Sequence, residues 1–560
     1  MAESEPYLSP HRDCWDQTVR PRCLLAQLVT ALPVQHFIRP DFAHTWTRGL
    51  PDGYLSPPTT GIPLEELESL HNGSMRNTGV SGALAAGLYA TAAVAQTQCS
   101  NILVPTYSPP VVASGWQAQL VAGGLTKPRS IAFDSTGALL VVESGQGISR
   151  HRFTDNGGTC LASNHSHMLV DLATLNHGLA LSNDGNTIYA SSAEAVFAWA
   201  YDARGGRVTG QPQTIVANMS NSDLVTRTLL MSKKQPGTLL VSRGSGDNDA
   251  IQTEDVTNGL SQIRAFNLTN LTSSSSPYNF NTDGAVLGWG LRNSVGVSEH
   301  PVTGGIYAVE NSVDGVQRNG VDVHENNPGE ELNFLGYLNG TQGGTGNFGY
   351  PHCFAVWQVD EIPENDGLAV GKQFAVQENS TLRDETCAED YVPPRLTFPA
   401  HYAPLDIKFS AGGEEAYITF RGSFDRSSPV GYRLSSIAFN AATGEPVAAA
   451  DSNDALTDVL TNPDNTACPD RCFRPVGLAF DSAGRLWMSS DSTGEIYVLQ
   501  RTGESGSGTF VQPSGGSGSG SNSGGNGGGS DNAAAGLRAS ETAMTDWMIA
   551  AALGVWLAVV

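Results

Sequence analysis

Lysine is nearly missing from this chain: only five of its 31 basic residues are lysine, and the others are arginine. Charged residues of all kinds make up only 15% of the sequence, and 55 acids against 31 bases leave a formal net charge of −24 at pH 7. That balance excludes binding to nucleic acid or an anionic membrane through bulk attraction. There is no HExxH pair, no phosphate-binding loop and no triad-like Ser or Cys nucleophile motif, so the chemistries those motifs serve have no footing. Long helical periodicity is absent from residues 127–500. No apolar run reaches the ~20 residues that span a bilayer as a helix. With so little charge to spare, the places where arginine does occur are informative.

What the chain has instead is 63 glycines, 30 prolines and one unit repeated six times. Each copy is a polar or cationic residue, a short apolar strand, a Gly-containing turn and a second strand. The copies occupy 127–144, 176–192, 226–243, 292–311, 403–421 and 473–491. Alternation within them (Ile131 and Phe133, Leu179 and Leu181, Val295 and Val297, Ile407 and Phe409, Leu478 and Phe480) is that of half-buried strands. Turns such as Asp134 to Gly137, Asn183 to Gly185 and Asp481 to Gly484 supply positive φ and local side-chain caps. Hairpins recurring at intervals of roughly 50 to 110 residues predict an all-β, six-bladed β-propeller with long inter-blade loops. Residues 321–399, rich in Gly, Pro and aromatics, are expected to form loops walling the funnel mouth.

In a propeller the first strand of each blade starts beside the central channel. The residues just ahead of the six apolar runs are Arg129, His177, Arg227, Arg292 with Asn293, His401, and Arg474. Arginines converging on one channel repel one another unless an acid neutralises them, and the guanidinium fork matches carboxylates. A small polycarboxylate ligand is one answer. Internal pairing with Glu143, Glu310 and Asp491, which end second strands, is the other.

The two ends of the chain read as addresses. From Met75 come one arginine, an apolar stretch over 80–93 and a small-x-small site ending at Ala95, the pattern of a secretory signal. Residues 1–74 are then an extension or an upstream start, 75–95 the signal, and 96–502 the propeller. Six cysteines follow the signal, and chain order suggests the pairs Cys99–Cys160, Cys353–Cys387 and Cys468–Cys472. N-glycosylation sequons stand at Asn164, Asn218, Asn267, Asn270, Asn339 and Asn379. A Gly/Ser-rich linker over 503–532 leads to a tail, 533–560, whose small residues, spacer and apolar terminus fit a glycolipid-anchor signal. A secreted protein is expected, at the cell surface or wall, meeting the membrane only through that anchor.

The repeats resemble the soluble quinoprotein sugar dehydrogenases, and most closely the fungal pyranose dehydrogenases of auxiliary activity family 12 (sorbosone dehydrogenase-like), over roughly residues 116–499. The resemblance is carried by Gly290-Leu-Arg-Asn-Ser294, Ile306-Tyr-Ala-Val-Glu-Asn-Ser312, Pro328-Gly-Glu-Glu-Leu-Asn333 and Asn347-Phe-Gly-Tyr-Pro351. It implies pyrroloquinoline quinone (PQQ), a tricarboxylate, held by Arg292, Asn293, Arg421, Arg471 and Arg474, with Arg129, Arg227 and His401 more loosely matched. It implies calcium (Ca2+) on the carbonyls of Ser312 and Val313. The implied reaction oxidises a small aldose at its anomeric hydroxyl, with electrons leaving to an external acceptor, either a separate redox protein or a quinone. Calcium and an arginine, here Arg292, polarise the quinone carbonyl, and a neutral histidine takes the hydroxyl proton. Bacterial relatives carry that histidine at the start of blade three, where this chain has Leu224. Either His177, one blade earlier, is the base, or conventional activity is lost. A calcium-dependent lactonase-like hydrolase and a non-catalytic surface propeller are the alternatives.

Overall fold

The computed structural model describes Cys99 and residues 101–248, 250–340, 346–503 and 507–513. The expected extension, signal, anchor tail and most of the linker lie outside these residues.

Six sheets of four or five strands follow one another in chain order, forming the six blades of a β-propeller. Their innermost strands are Pro128–Phe133, Leu175–Leu181, Leu229–Met231, Ser294–Glu299, Pro404–Phe409 and Pro475–Phe480, each the first strand of one repeat. The repeat therefore marks the two inner strands of a blade, and the outer strands come from the segments between repeats. Blade six takes its fourth strand, Trp116–Ala122, from the N-terminal side, paired antiparallel with Glu495–Arg501. That pairing closes the ring without a covalent bond. Val111–Val112 adds likewise to the outer strand of blade five.

Two expectations need correction. The composition after residue 502 predicts a linker, yet Thr509–Phe510 pairs in parallel with Gln117 and Ala118 as a fifth strand of blade six. The ring of Phe510 lies 6.2 Å from that of Tyr497, so one aromatic anchor on an open sheet edge overrides the flexible composition around it. Within 321–399, Glu330–Tyr337 is a largely buried third strand of blade four, not loop. The excursion beyond it holds a hairpin, Cys353–Ala355 with Gln373–Ala375, and a short helix, Asp384–Asp390. All three expected disulfides are present, and Cys353–Cys387 ties that hairpin to that helix.

Apolar side chains on the blade faces form one buried cluster per blade interface. Between blades six and one, Trp487 packs against Phe133 at 5.2 Å and Phe153 at 4.9 Å, while its indole N–H donates to Asp481 Oδ2 at 2.9 Å. Nearer the channel the blades approach too closely for side chains. A Cβ on Gly178 would sit 2.2 Å from the carbonyl oxygen of Arg227, and one on Gly477 2.4 Å from that of Arg129. Five inner strands carry a register shift at their channel end, as between Pro128 and Ile131 or Pro475 and Leu478. Such bulges turn a side chain off the sheet face, which here re-aims Arg129 and His177.

Trp487→Ala, which empties the blade six to blade one interface and leaves Asp481 short of a donor, is expected to cost about 3–5 kcal/mol in urea denaturation.

Candidate functional site

The channel brings Arg129, Arg421 and Arg474 around a single carboxylate. Arg129 Nη1 donates to Asp491 Oδ2 at 2.7 Å, and Arg421 Nε donates to the same oxygen at 2.9 Å. Arg474 lies over the ring of Tyr432 at 5.6 Å and gives its Nε to the carbonyl of Arg421 at 3.3 Å, with no ion pair of its own among the described residues. Three guanidinium groups less one carboxylate leave a surplus of two positive charges in a buried space. Burial, then Arg421 nearby, pushes Arg474 down to about 10. Burial works to raise Asp491, but Arg421 and Arg129 prevail and hold it below the usual carboxylate range. Its other oxygen, Oδ1, is buried without a hydrogen-bond partner. A self-contained salt-bridged plug would match its charges; this one does not.

Beside it, Arg292 holds the turn that follows the second strand of blade four. Its Nη1 donates to the carbonyl of Ser312 at 2.6 Å, and its Nη2 to Asp314 Oδ2 at 3.0 Å and Asn248 Oδ1 at 2.8 Å. Glu330 secures the same turn from behind, accepting from the backbone N–H of Ser312 at 2.7 Å and of Ala403 at 3.0 Å. His401 completes the arrangement with left-handed backbone (φ 63°), one ring nitrogen 2.6 Å from the carbonyl of His324 and the other 3.7 Å from Asp314 Oδ1. Burial opposes its charging, but Asp314 and the His324 carbonyl raise His401 above the ordinary imidazole value. The Asn293 side chain lies against Gly244, where a Cβ would come within 2.9 Å of both its Oδ1 and the Cβ of Leu224.

The remaining expected residues are placed differently. All five N–H groups of Arg227 are taken: by the carbonyls of Ala193, Met219, Leu224 and Thr226 and by Asn221 Oδ1. It pins the 219–226 loop and has no donor left for a ligand. Arg471 stands exposed on the small loop closed by Cys468–Cys472, with Asp464 as its carboxylate neighbour. His177 is fully buried; its Nδ1 accepts from Arg129 Nε at 3.1 Å, and its other nitrogen is hydrogen-bonded to the carbonyl of Val295. Burial and then Arg129 hold it well below the ordinary imidazole value. It is a neutral ring with both nitrogens engaged, oriented to position Arg129 and without a free edge for a substrate proton. Leu224 is buried with φ 45°, so no imidazole stands at that position.

The surplus positive charge fits a small polycarboxylate such as PQQ, and the unpartnered oxygen of Asp491 marks a place where a further donor is accommodated. The turn at Ser312, Val313 and Asp314 offers hard oxygen donors, the chemistry a calcium ion takes. Among the described residues no group of three or more His, Cys, Asp or Glu assembles a metal site, so carbonyls would have to supply part of the shell.

Residues 110–502 match the family model described as TrAA12-like. The chain belongs to that family. It is 50% identical over 417 residues to the PQQ-dependent sugar dehydrogenase of Hypocrea jecorina, covering 74% of this chain and 94% of that one. It is 36% identical over 416 residues to the PQQ-dependent pyranose dehydrogenase of Coprinopsis cinerea, 72% of this chain and 55% of that protein. The calcium structure of the Trichoderma reesei family AA12 enzyme superposes with a TM-score of 0.70 at 52% identity, covering 72% of this chain and 100% of that one. The holo PQQ domain of the Coprinopsis pyranose dehydrogenase gives 0.67 at 34% identity, covering 72% and 99%.

Asp491→Ala should destabilise the cofactor-free protein by about 3–5 kcal/mol, measured by urea denaturation, because it strands buried guanidinium groups. A second expectation concerns Glu331, which burial pushes up to about 7 despite a hydrogen bond from Asn333. A carboxyl raised in the folded state stabilises at low pH, and that contribution is lost as pH climbs through the folded value. The urea midpoint should therefore fall between about pH 5 and about pH 8 in the parent, and fall less in Glu331→Gln.

Proposed function

We propose that this chain is a secreted PQQ- and calcium-dependent sugar dehydrogenase that oxidises an aldose at its anomeric hydroxyl and passes electrons to an external acceptor. One observation carries the reading: Arg129 and Arg421 share Asp491 beside the unpaired Arg474, and the three guanidinium groups remain two negative charges short of neutrality in the channel. The TrAA12-like family and the named activities of its Hypocrea and Coprinopsis members support the tricarboxylate quinone as the missing acid. Three disulfides and the exposed sequons support export.

In this reading Arg421, Arg474 and Arg129 bind and orient the cofactor's carboxylates, the last held in place by His177. Arg292 would hold the quinone's reacting carbonyl, and the carbonyls of Ser312 and Val313 would hold calcium, which would polarise it. When bound, the quinone supplies an electrophilic carbonyl that accepts hydride from the sugar. The proton from the anomeric hydroxyl needs an imidazole with an open edge. His324 is the nearer candidate: its Nδ1 is 2.6 Å from Asp322 Oδ1, its partly exposed Nε2 has only Glu325 Oε2 near it, at 3.9 Å, among the described residues, and its backbone carbonyl is held by His401. Asp322 raises it above the ordinary imidazole value, so the active neutral form accumulates as pH rises. We assign it the role first expected of His177.

The test is a quinone titration of the purified protein followed by absorbance, with and without calcium, and then aldose turnover with a dye acceptor. Arg292→Ala should lose quinone binding. His324→Gln should retain binding, lower kcat by about 100-fold or more, and abolish the acid limb of the pH profile. Binding without turnover in the parent would instead leave a non-catalytic propeller, the outcome that Leu224 favours. Lactone hydrolysis without quinone would leave a hydrolase.

A further inference from the structure

A cleft of about 630 Å³ lies outside the channel, between blade three and the excursion of blade four. Trp289 and Tyr391 line it. Glu254, Asp390 and His352 bring polar groups, with His352 hydrogen-bonded to Glu254. Two acids against one histidine disfavour an anionic occupant. Aromatic residues among carboxylates and amides suit a neutral polyhydroxylated ligand, and the volume lies within the roughly 300–1,000 Å³ of small-molecule sites. The walls are braced, since Cys353–Cys387 pins the helix that ends beside Tyr391.

Asn379 lines this cleft and opens one of the sequons, Asn379-Ser-Thr381. Its Oδ1 accepts from the N–H of Thr381 at 2.8 Å, the N–H of Leu382 at 2.9 Å and Thr381 Oγ1 at 2.9 Å. Those three bonds fix the amide plane, while Nδ2 makes no hydrogen bond among the described residues and Asn379 is exposed. We propose that the cleft is a saccharide-binding site filled by the chain's own N-linked glycan on Asn379, its first sugars lying against Trp289 and Tyr391. Attachment forms a bond from Nδ2 to C1 of a lipid-pyrophosphate-linked oligosaccharide, breaks the C1–phosphate bond and releases a proton with the lipid pyrophosphate. Tethering keeps the sugar at an effective concentration in the millimolar range, so weak contacts suffice for occupancy. The wall residue Tyr350 also accepts from Ala250 N–H at 2.8 Å and lies 2.9 Å from the carbonyl of Asn248, the residue that holds Arg292. A filled cleft therefore braces the loop behind the candidate active site.

The inference rests on the export reading above, and one experiment separates the two. The full chain is expressed through a eukaryotic secretory route, and each sequon is followed by glycopeptide mass spectrometry during native digestion with a peptide N-glycanase. Asn379 should be modified and cleaved at least tenfold more slowly than the same site in Tyr391→Ala and in Trp289→Ala. Thr381→Ala should lose that glycan and change the tryptophan emission of the folded protein. An unmodified Asn379 beside modified sequons elsewhere, or equal cleavage rates in parent and both variants, overturns the inference alone. Absence of modification at every sequon overturns the export reading with it.

Discussion

Three guanidinium groups held against one carboxylate are the constraint on which this molecule turns. Buried positive charge without compensation is expensive, and a propeller that merely needed to close its axis would have matched Arg129, Arg421 and Arg474 with three acids. The fold instead places Asp491 where it reaches two of them through one oxygen and leaves the other oxygen unused. The charge that the protein leaves uncompensated is an attraction for an acidic ligand.

Holding like charges together demands a rigid wall, and hydroxyls on the second strands build it. Ser489 Oγ accepts from the N–H of Gly477 and donates to the carbonyl of Arg129 in the next blade. Ser191 does the same between Gly178 and Arg227, and Thr419 between Asp406 and Val476. The N–H groups freed by the strand bulges thus find partners that also stitch neighbouring blades, in the space where glycine permits close approach. Backbone satisfaction, blade registration and the aim of the arginines are one arrangement.

Arg292 shows how the same economy serves the second half of the site. Its fork joins Asn248 of blade three to Ser312 and Asp314 of blade four, and Glu330 backs that turn from the neighbouring strand. A turn secured from three elements presents its carbonyl oxygens in a fixed direction, as a hard cation requires. Arg227 looks equivalent in the sequence but spends every donor on local carbonyls. Its repeat has the short inner strand Leu229–Met231 with no register shift, so its side chain is not turned toward the axis in the same manner.

Much of this was legible in the chain before any coordinates. Six hairpin repeats, their alternating apolar residues and their turn glycines are local signals, so six blades, the inner strands and the cationic blade starts followed from them; cysteine order carried the disulfide pairs. Partnership was not legible, because it depends on residues far apart. Asp491 meets Arg129 across 362 positions, and strand Trp116–Ala122 closes a blade whose other strands lie near the opposite end of the chain. Nor could spacing tell His177, locked in the interior between Arg129 and Val295, from His324, whose ring is partly exposed between Asp322 and Glu325. Residue type and local period settle which strands form and which side chains stand at their ends. Only closing the ring decides which of those side chains neutralise one another and which remain to receive a ligand, because the balance of buried charge belongs to the assembled channel and to no segment of it.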